Sequence, residues 1–209
     1  MDGNNRWSKK NNMAIYNGYK KGAKQLISLT NFIFANTKSN YVSAFALSKN
    51  NLNRSKRLIS ILKNLLLEFI DEINNEKLSL DFNIKFVGDK SFLDKNINKK
   101  INLIENTINK NKKFLLIYIN YSGKDDIKQA AYNYHLVSKA NDKNKNKFED
   151  FLLTNNIPDP DILIRTGGYS RLSDFIIYQS TFTELFFSNK LWPDFKKSDL
   201  SNMINKFYF

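Results

Sequence analysis

The sequence contains no cysteine and a single histidine among its 209 residues. Without cysteine the chain can form no disulfide framework and can carry no thiolate nucleophile or thiolate metal ligand. The one histidine, His135, lies apart from every motif described below, and we interpret it as a structural residue. Disulfide-stabilised folds and thiolate chemistry are therefore excluded.

Long apolar segments are also missing. No run approaches the roughly 20 apolar residues that a membrane-spanning helix needs. The first motif begins at the second residue, and we expect no signal peptide before it. We therefore expect a cytoplasmic protein. A length of 209 residues and a hydrophobic content of 42% suit a single globular domain, residues 1–209, with a substantial core. No internal repeat and no second domain are visible.

Positive charge is abundant, with a formal net charge of +13 and a pI of about 9.7. Much of it lies in Lys/Asn-rich stretches such as Asn109–Lys113 and Asn141–Lys147. No zinc-ligand spacing and no stacking-aromatic RNA motif accompanies the charge, so specific nucleic-acid binding is disfavoured. Attraction to anionic membrane surfaces is the better explanation.

The most informative stretch lies late in the chain. The apolar run Ile162–Ile164 predicts a buried strand that ends at Arg165 and breaks on Thr166–Gly168, where backbone amides can turn toward a ligand. Arg171 and the hydroxyl of Ser173 follow this turn. Two arginines and a hydroxyl around a glycine turn at the carboxyl end of a strand suit a phosphate or diphosphate.

The segments after this turn add a helix and a carboxylate. Leu172–Gln179 predicts a helix with an apolar face, and Thr183–Phe187 predicts a buried strand that carries Glu184. A glutamate in an apolar setting needs a partner, and a metal ion would supply one. The plainer alternative is a turn with surface arginines and a solvated glutamate. The concentration of these groups around one glycine turn favours a ligand site.

The N-terminal segment predicts a second anion site. A Gly3–Asn4 turn leads into a helix whose first backbone amides attract phosphate, and Arg6 adds positive charge. Asp2 beside a diphosphate makes sense only if a cation mediates, because two anions would otherwise repel. Mg²⁺ fits this position, since proteins typically hold it with one or two carboxylates plus phosphate oxygens.

Strands and helices alternate along the chain. Strands are predicted at Tyr41–Leu47, Asp81–Val87 and Phe114–Tyr121, the last too apolar for a sheet edge. This rhythm predicts an α/β fold with a central, mostly parallel sheet of about six strands flanked by helices, and the candidate ligand residues fall at the carboxyl ends of strands. The predicted helices are Tyr19–Ala35, Arg54–Ile73, Leu93–Asn109, Ile127–Ser138 and a short one from Ser198.

The motifs at both ends of the chain resemble the cis-prenyltransferases, the family that includes bacterial undecaprenyl diphosphate synthase. The C-terminal signature is matched by Asp161–Gly168, Arg171–Ser173, Thr183–Phe187 and Leu191–Phe195, and the N-terminal hallmark by Met1–Trp7. Two independent motifs in the right order make the resemblance specific. With weaker similarity between them, it covers nearly the whole chain.

The resemblance implies an activity and a set of roles. It implies condensation of an allylic diphosphate, typically farnesyl diphosphate, with isopentenyl diphosphate, each step making a cis double bond and releasing pyrophosphate. Asp2 and Asn51 would be catalytic, and Asp2 and Glu184 would bind Mg²⁺. A homodimer and peripheral membrane contact for product release are also implied. The substrate-binding residues would be Gly3, Asn4, Asn5, Arg6, Trp7, Ser48, Lys49, Asn50, Arg54, Arg165, Arg171, Leu172 and Ser173.

Helix Arg54–Ile73 carries an apolar stripe that has two interpretations. Its spacing predicts packing against the core. In the family that the sequence resembles, the corresponding helix also walls the tunnel for the growing prenyl chain. The two interpretations are compatible, and both are kept as expectations.

The chain departs from the family pattern at several positions. A lost arginine or histidine at an anion site removes charge-assisted hydrogen bonds worth roughly 1.5–3 kcal/mol each. The family residues that the chain retains nevertheless favour an active enzyme over a non-catalytic subunit or prenyl-lipid binder. Positive charge alone supports a third class, a nucleic-acid binder. The departures are Asn5, Ile15, Tyr19, Asn50, Leu52, Ser55, Tyr169 and Ser170.

One further expectation concerns the start of the chain. In the family a buried strand leads directly into the first aspartate, whereas here Asp2 is the second residue. A parallel sheet needs each strand paired, so an empty slot would expose backbone donors and acceptors in its middle. The hypothesis is that the natural product begins upstream with an apolar strand and that Met1 is an internal methionine.

Overall fold

The computed structural model describes residues 1–52, 56–74, 80–107, 112–140 and 146–207. Within these ranges there are five strands and six α-helices, which alternate from β1 to β4 as the sequence predicts, whereas no α-helix separates β4 from β5. The strands are β1 (Tyr41–Ser48), β2 (Asn83–Val87), β3 (Phe114–Tyr121), β4 (Ile162–Arg165) and β5 (Glu184–Phe187). The helices are α1 (Asn4–Lys10), α2 (Ile15–Asn36), α3 (Lys56–Asn74), α4 (Lys95–Asn106), α5 (Gly123–Ala140) and α6 (Lys197–Phe207).

All strand pairs are parallel, which confirms the α/β class, but the strands form two sheets. The first has the order β1-β3-β2, with Ala44 of β1 and Phe86 of β2 both opposite Ile117 of β3. The second pairs β4 with β5. The expected single sheet of about six strands is therefore replaced, in the described ranges, by five strands divided three and two.

Strand β3 is the centre of the core, as its unbroken apolar run predicts. Seven of its eight residues are buried. Because successive side chains of a strand point to opposite faces, the strand feeds two apolar clusters. Leu115 and Ile117 pack with α2, α4 and β2, whereas Leu116 and Tyr118 pack with Leu163 of β4.

Helix α3 packs against the first cluster. Its residue Ile70 is fully buried, and Leu62, Leu66 and Phe69 pack against the same core. The apolar stripe of this helix therefore serves core packing, as its spacing predicts. None of its described residues lines the cavity discussed below.

A cavity of about 1300 Å³ separates the two sheets. It is lined by successive residues of β1, from Tyr41 to Ala46, and of β4, from Ile162 to Arg165. Since neighbouring residues of a strand face opposite sides, a lining of successive residues means that the cavity runs along strand edges. The strand that the resemblance places before Asp2 has no counterpart in the described part of the chain.

The region after the glycine turn differs from its prediction. Residues 172–179 form a series of turns and not a helix, and Ser173, Asp174 and Ile176 have positive φ angles. Phe175 and Ile176 are nevertheless buried in the second apolar cluster. The ring of Phe175 stacks on Phe45 of β1 at 4.6 Å between centroids. This packing, together with the polar contacts of Ser173 described next, holds the segment in a non-helical path.

No helix in the described ranges is both long enough and apolar enough to cross a membrane.

Candidate active site

The N-terminal motif is held at the carboxyl end of β4. The amide of Asp2 donates to Thr166 Oγ1 (3.1 Å), and the carbonyl of Asp2 accepts from the amide of Trp192 (2.9 Å). Gly3 then has φ +110°, and a Cβ there would lie 2.9 Å from Leu191. A glycine is therefore required for the chain to turn into α1 at this point.

The carboxylate of Asp2 lies between two guanidinium groups. Its Oδ2 is 3.2 Å from Arg165 Nη2, and its Oδ1 is 3.4 Å from Arg6 Nη2. Gly167, with φ +91°, makes this approach possible, because a Cβ at that position would lie 2.6 Å from Arg6 Nη2 and 3.1 Å from Asp2 Cβ. The glycine turn therefore brings the two ends of the sequence into contact.

Arg165 ties the loop after the turn to the end of β4. Its Nη1 donates to Ser173 Oγ (2.6 Å) and to the carbonyl of Arg171. The Arg165 side chain is only 14% exposed, so the guanidinium is well fixed. These contacts hold the Arg171 backbone and the Ser173 side chain against Arg165, which itself contacts Asp2.

The ring of Tyr169 lies among three guanidinium groups. Its centroid is 4.3 Å from Arg171 Cζ, 5.1 Å from Arg6 Cζ and 5.6 Å from Arg165 Cζ. All three separations are within the range of cation–π attraction. The four side chains form what we call the arginine–tyrosine cluster.

The side chains of this cluster line the cavity between the sheets. Apolar side chains line it as well, among them Leu26, Leu29 and Ile33 of α2, Val42 of β1 and Ile164 of β4, next to polar ones such as Lys38 and Asn40. The cavity therefore offers both guanidinium groups and apolar surface. The predicted site residues that line the cavity are Asp2, Gly3, Asn4, Asn5, Arg6, Ser48, Asn50, Asn51, Arg165, Arg171, Leu172 and Ser173.

Two predicted substrate-binding residues lie elsewhere. Trp7 is 6% exposed, and its Nε1 donates to Asp194 Oδ1 (2.7 Å), so it anchors α1 to the C-terminal region. Lys49 pairs with Asp125 at 2.6 Å, which raises the pKa of the Lys49 ammonium, and does not line the cavity. Arg54 lies outside the described residues.

Glu184 is not brought to Asp2 within the chain. In the parallel register Glu184 is opposite Ile162, whereas Arg165, which touches Asp2, is opposite Phe187. The two levels are about 10 Å apart along the strand. Glu184 is also exposed, so the expectation that this strand is buried is wrong.

A magnesium ion therefore has one of its two predicted protein ligands at the site. In the described ranges, no group of three or more His, Asp or Glu side chains could hold a metal. Asp2 alone still fits Mg²⁺, since this ion is usually held by one or two carboxylates, with substrate phosphates and water as the remaining ligands.

Two residues of the site are not among those that the sequence predicts to bind a ligand. Tyr169 is expected only as a departure from the family pattern, and one of its three arginine contacts, Arg6, is distant in sequence. The hydroxyl of Thr166 contacts both the amide and the carbonyl of Asp2, at 3.1 and 3.2 Å. Its value as an anchor depends on contact with the distant N-terminus, which no local pattern shows.

Comparison with known proteins gives consistent results. The family model for undecaprenyl diphosphate synthases (Prenyltransf) matches residues 1–209. An isoprenyl transferase of Helicobacter pylori is 34% identical over 214 residues, covering 100% of this chain and 91% of that protein. A ditrans,polycis-undecaprenyl-diphosphate synthase, (2E,6E)-farnesyl-diphosphate specific, of Buchnera aphidicola is 32% identical, covering 99% of this chain and 84% of that protein.

A similar fold occurs in a solved structure. Lavandulyl diphosphate synthase from Lavandula x intermedia, crystallised with dimethylallyl diphosphate, superposes with a TM-score of 0.86 and 28% sequence identity. The similarity covers 99% of this chain and 92% of that one.

Proposed function

The chain belongs to the cis-prenyltransferase family of undecaprenyl diphosphate synthases, and from this premise we propose that it condenses isopentenyl diphosphate with an allylic diphosphate resembling farnesyl diphosphate. The product would be a long-chain, undecaprenyl-like polyprenyl diphosphate. The relatives are named transferases and synthases, so the chain is a prenyltransferase by family.

The observation that carries this proposal is the cationic part of the cavity lining. The guanidinium groups of Arg6 and Arg165 flank the Asp2 carboxylate, and that of Arg171 lies with them around the Tyr169 ring. Such a surplus of fixed donors suits a ligand with several anionic oxygens. The apolar side chains that also line the cavity suit a hydrocarbon chain. A prenyl diphosphate has both parts.

The chain's own residues then bind and orient two diphosphates. The amides at the Gly3–Arg6 turn, together with the Arg6 guanidinium, would hold the allylic diphosphate. Arg165, Arg171 and Ser173 would hold isopentenyl diphosphate with its double bond facing the allylic carbon. In the reaction the allylic carbon–oxygen bond breaks, a carbon–carbon bond forms, and a proton is lost from the isopentenyl unit.

Two groups would assist the departure of pyrophosphate and of the proton. Asp2 would hold Mg²⁺, which when bound neutralises charge that develops on the leaving diphosphate oxygens. Asn51, beside Ser48 in the cavity lining, would position the group that accepts the proton. An amide is a poor base, so released pyrophosphate is the proposed acceptor.

The exposed second sheet supports a homodimer. Phe182 is 95% exposed, and Leu185 and Phe187 of β5 are also exposed. An exposed apolar edge strand is a surface that proteins normally cover. We propose that a second copy of the chain covers it, and that the dimer acts in the cytoplasm and contacts the membrane when it releases its lipid product.

The alternative is a family member that binds prenyl lipids without turnover. One observation favours it: the Asp2 carboxylate is already paired with Arg6 and Arg165, and Glu184 lies away from it. Purified protein incubated with Mg²⁺, farnesyl diphosphate and labelled isopentenyl diphosphate separates the two. Formation of a longer polyprenyl diphosphate supports the enzyme, whereas binding of farnesyl diphosphate without elongation supports the alternative.

A further inference from the structure

Tyr169 is the one neutral member of the arginine–tyrosine cluster. The three arginines reach its ring from separate segments: Arg6 from α1, Arg165 from the end of β4 and Arg171 from the loop that follows. Guanidinium groups this close together repel one another. The negative faces of an aromatic ring attract each of them, with a strength of about 0.5–1 kcal/mol at exposed sites.

The cluster keeps a surplus of positive charge. Among the described residues, the only carboxylate that pairs with any of these arginines is Asp2, which contacts Arg6 and Arg165. Three guanidinium groups and one carboxylate leave a formal charge of +2. An acidic side chain in place of Tyr169 would lower that surplus, and an aliphatic one would offer the arginines no attraction.

The backbone fixes Tyr169 in this place. Gly167 and Gly168, immediately before it, have φ angles of +91° and +80°. Their amides donate to the carbonyls of Lys190 (2.8 Å) and Ser188 (2.9 Å). The turn is therefore anchored to the segment after β5, and the tyrosine ring is delivered to the arginines by a conformation that glycine readily adopts.

We propose that Tyr169 is a positioning residue that gathers Arg6, Arg165 and Arg171 into one diphosphate-binding surface without cancelling their charge. This inference rests on the proposed function, since it assumes that the cluster binds diphosphate. The ring contacts arginines assigned to both substrates. Loss of the ring therefore weakens the binding of allylic and isopentenyl diphosphates together.

The test uses inorganic pyrophosphate as the probe, because this molecule is a diphosphate without a prenyl chain and its binding reports on the cluster alone. Its dissociation constant is measured by titration calorimetry, without Mg²⁺, for the wild type, Tyr169→Phe and Tyr169→Leu. Tyr132→Leu is the control, since Tyr132 is an exposed tyrosine on α5 that does not line the cavity. Thermal unfolding of each variant monitors the fold.

The expected result is a loss of affinity of about tenfold in Tyr169→Leu, while Tyr169→Phe and Tyr132→Leu stay within about twofold of the wild type. If Tyr169 served only to stabilise the fold, the loss of affinity in Tyr169→Leu would be accompanied by a lower melting temperature. We expect that variant to lose affinity with an unchanged melting temperature and Tyr169→Phe to retain affinity. Unchanged affinity in Tyr169→Leu, or equal losses in the Leu and Phe variants, overturns the role of the ring. A wild type that does not bind pyrophosphate overturns the proposed function as well.

A double-mutant cycle tests whether Tyr169 acts through the arginines. In an Arg171→Ala background, Tyr169→Leu should cost clearly less affinity than it does in the wild type, because one of the groups that it positions is already gone. Equal costs in the two backgrounds contradict the positioning role.

Discussion

The carboxyl ends of the two parallel sheets differ in how their charges are compensated. At the end of the three-stranded sheet, Lys49 pairs with Asp125 at 2.6 Å, and Asn120 Nδ2 donates to Asp89 Oδ2 at 3.1 Å. At the end of the two-stranded sheet, Arg6 and Arg165 share the carboxylate of Asp2, and Arg171 contacts only the Tyr169 ring among the side chains of the cluster. Both ends offer polar groups at the strand termini, where ligands bind in such folds. The one with unmatched positive charge is the one suited to an anion.

The bodies of the two sheets differ as well. In the three-stranded sheet β3 is buried along nearly its whole length, whereas in the two-stranded sheet β5 is largely exposed. Burial of apolar surface is the main source of folding free energy. The body of the first sheet therefore supplies most of the stability, whereas the cationic groups lie at the end of the second, so substitutions in these two places should have separable effects.

The largest expected effect is on catalysis, at Asp2. Asp2→Ala removes the carboxylate proposed to hold Mg²⁺ and should lower kcat by about 10³-fold. Substrate binding should survive better than rate. The matched control is Asp71→Ala, since Asp71 is also a surface ion-pair partner, 38% exposed against 39% for Asp2. Steady-state kinetics on both variants checks this, and near-normal Mg²⁺-dependent turnover in Asp2→Ala would refute the metal role.

The next largest effect is on stability, in the three-stranded sheet. Leu116 on β3 is fully buried. Leu116→Ala should lower the free energy of unfolding by about 3 kcal/mol, through lost burial and the cavity left behind. Urea unfolding measures this. The KM values of the folded fraction should stay near those of the wild type. A selective rise in one KM would contradict the claim that this sheet affects stability and not substrate binding.

A smaller effect is expected at Arg171. Arg171→Ala removes one guanidinium and should raise the KM for isopentenyl diphosphate roughly 10- to 100-fold, since a charge-assisted hydrogen bond is worth about 1.5–3 kcal/mol. The KM for the allylic substrate should rise less, because Arg6 and the Gly3–Arg6 turn remain. Equal increases for the two substrates would contradict the assignment of this arginine.

The smallest effect concerns pH and the polar contacts of the three-stranded sheet. Burial raises the pKa of the Asp126 carboxyl, which accepts hydrogen bonds from the Leu153 amide and the Tyr121 hydroxyl, both at 2.9 Å. A raised pKa in the folded state means that its contribution to stability is present below the ordinary aspartate pKa. The contribution is lost as pH rises through the folded value.

Unfolding of the wild type and Asp126→Asn between acidic and neutral pH measures this dependence. The wild type should lose stability relative to the variant as pH rises, by less than about 1 kcal/mol after solvent screening. If the stability difference between the two proteins does not change with pH, or changes in the opposite direction, burial does not set the pKa of the Asp126 carboxyl.

The central strand and the convergence of the end motifs could be predicted from the sequence, for different reasons. Strand β3 is marked by its own apolar run, a local signal that packing on both faces confirms. The resemblance assigns the two end motifs to substrates that react with each other, which implies that the motifs lie close together, and the direct contact of Asp2 with Arg165 is added by the structure. A local apolar pattern is thus enough to predict the buried strand, and a family signature is enough to predict that the two end motifs lie close together.

The sequence-based predictions that are wrong concern residues whose placement depends on tertiary contacts. The turns at residues 172–179 follow from the hydrogen bond of Arg165 to Ser173 and from Phe175 stacking on Phe45, which outweigh the helical periodicity. The separation of Glu184 from Asp2 follows from the strand register, which sequence spacing does not show. Trp7, next to a binding turn in sequence, is buried by a partner near the other end of the chain.

The most direct test of the account compares the wild type with Arg165→Ala in one assay. Incorporation of labelled isopentenyl diphosphate into polyprenyl product is measured with Mg²⁺ and farnesyl diphosphate, at equal concentrations of folded protein. We expect elongation by the wild type and a loss of kcat/KM of at least about 100-fold in Arg165→Ala, because this guanidinium contacts Asp2, Ser173 and Tyr169. No elongation by the wild type, or equal rates for the two proteins, would contradict it.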